Sequence, residues 1–215
     1  MTISLENVLP LPLSDKTALL GSEIWNRNVV FQHGNWIKIK APSGTGKTTF
    51  IHILYNLRQD YSGKVRFDGK PATEFSGEQQ AQLRQQSLSI VFQDMKLFPQ
   101  LTARENIELK RVLQVPYYEK DTIANMAEAL GVGSVLDQKA GICSYGEQQR
   151  IAIIRSLVQP FDWLLLDEPF SHLDQKNVLA AAKLIASECA RRKAGFILVD
   201  LEDDPYFSYH RQLQL

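Results

Sequence analysis

Alternating apolar and polar side chains predict a strand that runs into a tight loop and then a helix. Trp36 to Ala41 (WIKIKA) alternates as a strand with one buried face does. Pro42 to Gly46 cannot continue that strand, because a proline and two glycines interrupt it. Thr48 to Leu57 then carries apolar residues at helical spacing, so a helix is expected to begin at the loop.

A small antiparallel element and a helix–strand pair are predicted next. Ser62-Gly63 marks a turn, Lys64 to Phe67 alternates like a strand, and Asp68-Gly69 turns the chain again. Glu78 to Gln86 has the pattern of a polar, glutamine-rich helix, and Leu88 to Phe92 that of a short apolar strand. From Thr102 to about Leu157 the pattern becomes mainly helical.

Two continuous apolar runs in the second half indicate strands buried on both faces. They are Trp163 to Leu166 and Phe196 to Val199, and Asn177 to Arg191 has the pattern of the helix that parallel strands need between them. The predicted fold class is therefore α/β, with a mostly parallel sheet covered by helices on both faces and a small antiparallel β subdomain. We expect residues 1–215 to form one domain, with a helical subdomain inserted at about 94–157.

Composition narrows the functional classes. Hydrophobic residues make up 44% of the 215 residues and charged residues 22%, which is typical of a globular protein. With 24 basic and 24 acidic side chains the net charge is zero, so nucleic-acid binding by bulk charge is not expected. Cys143 and Cys189 stand far apart, which favours a reducing cytosol. No secretory signal and no membrane span is predicted.

The loop after the first strand has the spacing of a phosphate-binding (Walker A) loop. Residues 41–48 (APSGTGKT) fit that pattern at every fixed position except the first, which holds alanine instead of glycine. Gly44 and Gly46 allow backbone N–H groups to point at phosphate oxygens, and the helix adds its positive N-terminal end. Lys47 would contact the β- and γ-phosphates, and the Thr48 hydroxyl is the expected magnesium ligand.

Two carboxylates follow the apolar run at Trp163 (Walker B). Asp167 and Glu168 are placed at the carboxyl edge of the predicted sheet, where ligands bind in open α/β folds. Asp167 suits the magnesium shell, and Glu168 is a candidate general base that would polarise an attacking water. Taken alone, the pair also fits a solvated acidic turn, but the phosphate loop favours the functional interpretation.

A further helix start is predicted at Cys143 to Arg150 (CSYGEQQR). Ser144 and Glu147 have the spacing of a capping box, so by itself this segment reads as an ordinary helix N-terminus. It gains meaning from its place in an ordered series of motifs. The series consists of the phosphate loop, Gln93 after a strand, Ser144-Tyr145-Gly146-Glu147-Gln148, Asp167-Glu168-Pro169 after a strand, and Ser171-His172-Leu173-Asp174.

Taken together, these motifs resemble the nucleotide-binding subunits of ABC transporters. The resemblance covers roughly residues 20 to 200, and the ordered set is far more specific than any single member. The segment FQD-x-x-LFPQLTARENI is also similar to stand-alone bacterial subunits of the lipoprotein-release and cell-division type. The resemblance implies a P-loop NTPase core that binds ATP and Mg²⁺, and a head-to-tail dimer with two ATP molecules between the subunits.

The resemblance also assigns roles to single residues. Glu168, Gln93 and Lys47 would be catalytic, and Thr48, Gln93 and Asp167 would hold the metal. Ser144 and Gly146 would reach the γ-phosphate bound by the other subunit. The expected nucleotide-binding residues are Pro42, Ser43, Gly44, Thr45, Gly46, Lys47, Thr48, Thr49, Ser144, Gly146, Glu147 and Asp174.

Membrane partners are implied as well. The family's coupling surface follows Gln93, so transmembrane permease subunits are expected to dock near Asp94 to Leu101. The protein would then be cytoplasmic and peripheral on the inner face of the cell membrane. The apolar tip of that segment, Leu97, Phe98 and Leu101, has an alternative role in packing against its own helical insert.

Three positions depart from the family pattern. The usual histidine after the last core strand is replaced by Asp200 in the best gap-free alignment, with Leu201 as the alternative. An ionised carboxylate would repel the γ-phosphate, so hydrolysis is expected to be slow and a dimerising ATP-dependent switch is the alternative function. Tyr145 replaces a signature glycine, which is a mild change because Gly146 is retained.

The adenine-stacking aromatic is the third departure. It has no clear counterpart between Leu11 and Gly21, and Trp25 is the nearest candidate. The four histidines show no metal-ligand spacing, so surface or packing roles are expected for them. A fold-back of His210 into the place of the missing histidine is a minor alternative.

Overall fold

A computed structural model describes residues 1–14 and 21–215. Its strands are numbered in chain order, and so are its helices. The strands are β1 Ile3–Pro10, β2 Asn28–Phe31, β3 Trp36–Lys40, β4 Tyr61–Phe67, β5 Lys70–Pro71, β6 Leu88–Val91, β7 Trp163–Asp167, β8 Gly195–Asp200 and β9 Arg211–Gln214. The helices are α1 Lys47–Leu54, α2 Gly77–Gln86, α3 Ala103–Val112, α4 Lys120–Ala129, α5 Tyr145–Leu157 and α6 Gln175–Arg192.

The larger sheet is parallel and has the strand order β6-β7-β8-β3-β9. Every residue of β7 is buried, which explains why its sequence is continuously apolar rather than alternating. The predicted parallel sheet and α/β class are confirmed. The carboxyl ends of β3, β7 and β8 meet at one edge, and this edge carries the residues with candidate chemistry.

Two apolar cores cover the two faces of this sheet. In one core, α1 and the smaller sheet pack with Trp163 and Leu165 of β7. In the other core, the helices α3, α4, α5 and α6 pack with Leu164 and Leu166 of the same strand. Successive residues of a strand point to opposite faces, so one strand serves both cores. The helical insert shares its core with the sheet, and its limits at about 94–157 stay a prediction.

The smaller sheet is antiparallel, with the order β2-β1-β4-β5. The predicted turn at Asp68-Gly69 joins β4 to β5, but the predicted turn at Ser62-Gly63 is wrong. These two residues belong to β4, where the register with β1 shifts between Glu6 and Leu9. Gly63 has a φ of 80°, and a Cβ there would lie 2.3 Å from the Asn7 carbonyl oxygen, so the bulge requires glycine at this position. A bulge and a turn therefore have the same glycine signal in the sequence.

The crossover helix α6 is longer than predicted at both ends. Asp174 caps its start by accepting hydrogen bonds from the backbone N–H of Asn177 at 2.8 Å and from its side chain at 2.9 Å. Lys193, in a left-handed conformation with a φ of 55°, ends it. No helix within the described ranges combines the length and apolar character that a bilayer crossing needs.

Candidate nucleotide-binding site

The phosphate loop lies between the carboxyl end of β3 and the N-terminus of α1. Gly44 and Gly46 have φ angles of 82° and 100°, in the left-handed region that favours glycine. At Gly46 space is limiting as well, because a Cβ there would lie 2.6 Å from Leu13 Cδ1. The loop is therefore held in a conformation that exposes the first turn of α1 to an anion.

The Trp25 side chain is buried against the phosphate loop, where it is not accessible for stacking on a nucleotide base. Its side chain is 3% exposed, its indole N–H donates to the Thr45 carbonyl at 3.0 Å, and its ring packs edge-on against Phe50. The prediction of Trp25 as the adenine-stacking candidate is therefore wrong. Of the interval Leu11 to Gly21, residues 15–20 lie outside the described part of the chain, and Leu13 lines the cavity beside the loop.

A cavity of about 530 Å³ opens beside the loop. Lys47 lies in it with its ammonium 3.0 Å from Glu168 Oε1, and it also donates to the Ala41 carbonyl at 3.2 Å. The Gln93 amide donates to Glu168 Oε2 at 3.1 Å. The lining residues are Leu13, Ser43, Gly44, Gly46, Lys47, Thr48, Thr49, Gln93, Glu168 and Leu201.

Glu168 is held by its backbone as well as by its side chain. Its φ is 46°, an unusual conformation for a residue with a Cβ, and its N–H donates to the Val199 carbonyl at 3.0 Å. Because both carboxylate oxygens accept from Lys47 and Gln93, a phosphate that enters the cavity competes with Glu168 for the Lys47 ammonium.

Asp167 fits a magnesium ligand. It is 1% exposed, and neither of its carboxylate oxygens has a hydrogen-bond partner among the residues that the structure describes. Burial raises the pKa of Asp167 to about 6, and the negative charge of Glu168 adds to this effect. A buried carboxylate without a partner carries a large desolvation cost, which a bound cation would relieve.

The other expected metal ligands are neutral oxygen donors beside Asp167. The Thr48 hydroxyl donates to Gln93 Oε1 at 3.4 Å, and both residues line a second cavity together with Asp167. Within residues 1–14 and 21–215, no cage of three His, Cys, Asp or Glu residues forms. Such a sparse set of oxygens suits Mg²⁺, which commonly binds one or two carboxylates and takes further ligands from phosphates and water.

The signature segment, Ser144 to Gln148, lies outside the phosphate-loop cavity. Ser144 caps α5, its N–H and hydroxyl both donate to Glu147 at 2.7 and 2.8 Å, and the Glu147 N–H donates back to its hydroxyl oxygen at 3.4 Å. These bonds from Ser144 lower the pKa of Glu147. Gly146 packs beneath His172, where a Cβ would lie 3.1 Å from the carbonyl oxygen. Ser144, Gly146 and Glu147 are thus close together at the start of α5, and none of them lines the phosphate-loop cavity.

The segment before α6 lies against the signature. The rings of Tyr145 and His172 are 5.4 Å apart, and Asp174 is exposed at the N-terminus of α6. Tyr145 and His172 also line the second cavity, of about 540 Å³, with Thr48 and His52. Sequence reasoning gave His52 only a surface or packing role. Its position one turn after Thr48 was the available signal for a place in this cavity, because residues four apart share a helix face.

The corner after β8 decides between the two alternatives for the missing histidine. Leu201, 46% exposed, lines the phosphate-loop cavity, whereas Asp200 does not. Asp200 lines a lateral cavity beside Phe170, which Leu201 and Glu168 also border, and its carboxylate accepts from the Leu201 N–H at 2.7 Å. The structure therefore favours Leu201 over Asp200 at this position.

His210 does not replace that histidine. It precedes β9, and its ring nitrogen accepts from the Trp36 N–H at 3.0 Å, at the start of β3. The phosphate loop follows the other end of the same strand, so the fold-back of His210 is wrong.

The predicted docking segment Asp94 to Leu101 presents only part of its apolar tip to solvent. Phe98 is 57% exposed, but Leu97 packs against the core of the helical insert and Leu101 is half-buried. Asn106 fixes the tip by accepting from the Phe98 N–H at 2.8 Å and donating to its carbonyl at 3.0 Å. The packing role thus applies to Leu97, and docking on the exposed Phe98 stays a prediction.

The fold, the phosphate loop and the acidic edge define an ATP-binding cassette. Residues 25–171 match the family model described as ABC transporter, so the chain belongs to the ABC transporter family. The solved dimeric structure of a post-hydrolysis state of the ATP-binding cassette MJ0796, bound to ADP and Pi, is similar, with a TM-score of 0.77 and 26% identity. The match covers 93% of this chain and 88% of that one.

Curated relatives include cassettes of different lengths. The lipoprotein-releasing system ATP-binding protein LolD of Geobacter metallireducens is 38% identical over 175 residues, which are 80% of this chain and 76% of the relative. The macrolide export ATP-binding/permease protein MacB of Marinobacter nauticus is 30% identical over 184 residues. That match covers 85% of this chain but only 28% of MacB, so the chain corresponds to a minor part of that relative.

Proposed function

We propose that the chain binds ATP with magnesium at the carboxyl edge of the parallel sheet and hydrolyses it to power separate membrane subunits of an ABC transporter. The observation that carries the proposal is the convergence of Lys47, Gln93 and Glu168 on one cavity beside the phosphate loop. These residues follow different strands and are up to 121 positions apart (168 − 47). Their grouping is therefore a property of the fold, and it matches the needs of phosphoryl transfer.

In this proposal the chain's contribution is mainly positioning and charge. Backbone N–H groups of the loop, from Ser43 to Thr49, hold the phosphates, and Lys47 exchanges its contact with Glu168 for the γ-phosphate. Glu168 then accepts a proton from the attacking water, which Gln93 helps to place. A magnesium ion held by Thr48, Gln93 and Asp167 would neutralise charge on the transferring phosphoryl group.

A second copy of the chain is proposed to complete the site. Ser144 and Gly146 lie at the exposed start of α5, outside their own chain's phosphate-loop cavity, so they are available to a nucleotide held by another subunit. Asp174 is exposed next to them and suits a contact between the two sites. The dimeric state of MJ0796 supports a homodimer built in this way.

Permease subunits are proposed to dock on Asp94 to Leu101, at the inner face of the cell membrane. The exposed Phe98 ring offers an apolar contact, and the hydrogen bonds from Asn106 hold it in place before any partner arrives. This segment begins directly after Gln93, so a partner here is coupled to the nucleotide site through a few residues.

A second candidate function is an ATP-dependent dimerising switch that hydrolyses weakly. It is favoured by Leu201, because an apolar side chain lies in the cavity where a hydrogen-bond donor to the γ-phosphate is expected. Nucleotide binding and dimerisation do not require that donor. The two functions therefore share every binding residue and differ in turnover.

Titration calorimetry with ATP and magnesium tests the shared step. Lys47→Ala is expected to weaken binding about 100-fold, because charge-assisted contacts to two phosphates are lost. Lys64→Ala, which removes an exposed lysine of β4, is the matched control and should bind like the wild type. If the wild type gives no binding heat, or if both variants bind equally well, the proposal fails.

A further inference from the structure

The turn that follows Gln93 has an unusual backbone. Met95 and Lys96 are consecutive residues with φ angles of 58° and 49°. The left-handed region is unfavourable for residues that carry a Cβ, and two in succession persist only where surrounding contacts hold them. Local backbone bonds contribute, since the Met95 N–H donates to the Phe92 carbonyl at 2.9 Å and the Lys96 N–H to the Asp94 carbonyl at 2.6 Å.

A buried arginine on α5 supplies the long-range contact. Arg155 is 9% exposed, and its guanidinium donates to the Lys96 carbonyl at 2.7 Å and to the Met95 carbonyl. The two branches of one planar group thus bind the carbonyls of both left-handed residues. Lysine could not reproduce this contact, because its ammonium lacks the planar fork.

The charge of Arg155 has no carboxylate partner among the described residues, so the two carbonyls take its place. Burial lowers the pKa of Arg155 to about 10 and that of neighbouring Lys110 to about 8, and the charge of Arg155 adds to the effect on Lys110. Keeping an unpaired cation buried is costly, and this cost makes a purely packing role a poor explanation for the residue.

We infer that Arg155 is a positioning residue that holds Gln93 in the nucleotide site by fixing the left-handed turn at Met95 and Lys96. Gln93 lies two residues before the turn and contacts Thr48 and Glu168, so a released turn would let its amide leave both partners. The role in catalysis rests on the proposed function, whereas the effect on the turn does not.

Hydrogen–deuterium exchange of the full chain without nucleotide tests the turn directly. Arg155→Met keeps an unbranched apolar side chain but removes both donors, and it is expected to speed exchange in residues 93–98 by about tenfold or more. Arg84→Met is the matched control, because Arg84 is a nearby cation with no bond to the turn, and its exchange there should match the wild type. Equal exchange in the two variants would overturn the inference.

A glycine rescue separates positioning from general stability. Lys96 is exposed, and glycine adopts the left-handed conformation readily, so Lys96→Gly should restore slow exchange in 93–98 to the Arg155→Met variant. The magnesium concentration for half-maximal ATP turnover should rise about tenfold in Arg155→Met and return toward the wild-type value in the double variant. A double variant no better than the single one would contradict the inference.

Arg155→Lys covers the case in which the methionine variant does not fold. It keeps the charge and most of the volume but lacks the fork, so exchange in 93–98 should again exceed that of the wild type. Wild-type exchange in this variant would overturn the role of the fork. If the wild type itself does not bind ATP, the proposed function fails while the exchange results still decide whether Arg155 fixes the turn.

Discussion

Two neighbouring regions at the carboxyl edge of the parallel sheet differ in their residues: the phosphate loop, which we call the first corner, and the end of β8, which we call the second corner. At the phosphate loop, Lys47 and Gln93 each contact Glu168, and all three face a cavity. At the end of β8, the same cavity is lined by Leu201, whose side chain can neither donate a hydrogen bond nor carry charge. Under the proposed function, the residues for binding and for activating water meet at the first corner, whereas the Leu201 side chain brings no hydrogen-bond donor to the second.

The acidic residues after Leu201 do not compensate, because their charges are directed elsewhere. Asp203 pairs with Lys40 at 2.6 Å, and Asp204 pairs with buried Lys38 at 2.7 Å. Tyr209 donates to the Asp204 carboxylate, and burial together with this bond raises the pKa of Tyr209. Asp203 and Asp204 are thereby tied to β3, and their charges are paired with its lysines.

The largest effect is expected from removing the base at the first corner. Glu168→Gln should lower ATP turnover by about 10²–10⁴-fold, because the amide cannot accept the proton of the attacking water. ATP binding should be retained or strengthened, since Lys47 loses its competing carboxylate. Turnover assays and calorimetry on the same sample measure both quantities. Glu202→Gln, an exposed control, should behave like the wild type, and equal rates for both variants would remove Glu168 from its role.

Asp167→Asn tests whether the ionised carboxylate at the first corner lowers the free energy of unfolding of the chain. The pKa of Asp167 is raised to about 6 in the folded chain from 3.8, so between these pH values the folded state holds more protons than the unfolded state. The free energy of unfolding therefore falls as the pH rises through this window, and the cost is fully present above it.

Without nucleotide, Asp167→Asn should consequently raise the free energy of unfolding at pH 7.5 by on the order of 1–2 kcal/mol. Near pH 4 the gain should be much smaller, because the wild-type carboxyl is then protonated in the folded state and only about half ionised in the unfolded state. Urea unfolding at the two pH values measures the difference. The same variant should bind ATP less tightly when magnesium is present, and a variant less stable than the wild type at pH 7.5 would contradict the cost assigned to this carboxylate.

The smallest effect is expected at the second corner. Leu201→His would place a donor in the cavity and should raise turnover by up to about tenfold. Asp200→His, one residue earlier, should leave turnover near the wild-type value because Asp200 does not line the phosphate-loop cavity. Steady-state ATP hydrolysis distinguishes them. If Asp200→His raised the turnover and Leu201→His did not, position 200 rather than 201 would correspond to the family's histidine.

Local sequence signals predicted those parts of the site whose chemistry depends on neighbours in the chain. Gly44, Gly46 and Lys47 act through a strand, a loop and a helix start that are contiguous, so their spacing was sufficient. The capping box of Ser144 and Glu147 is equally local, and the structure contains it. The turn predicted at Ser62-Gly63 was wrong because a bulge and a turn need the same glycine, and only the pairing with β1 separates them.

Sequence by itself therefore determined the α/β class, the phosphate loop and the carboxylates at the end of β7. Tertiary structure decided that Trp25 lies beneath the loop, that Leu201 rather than Asp200 faces the cavity, and that Arg155 reaches the turn after Gln93. The physical reason is that each of these depends on which face of an element meets a distant segment. A shift of one residue at a strand end points a side chain to the other face, and no local pattern records that choice.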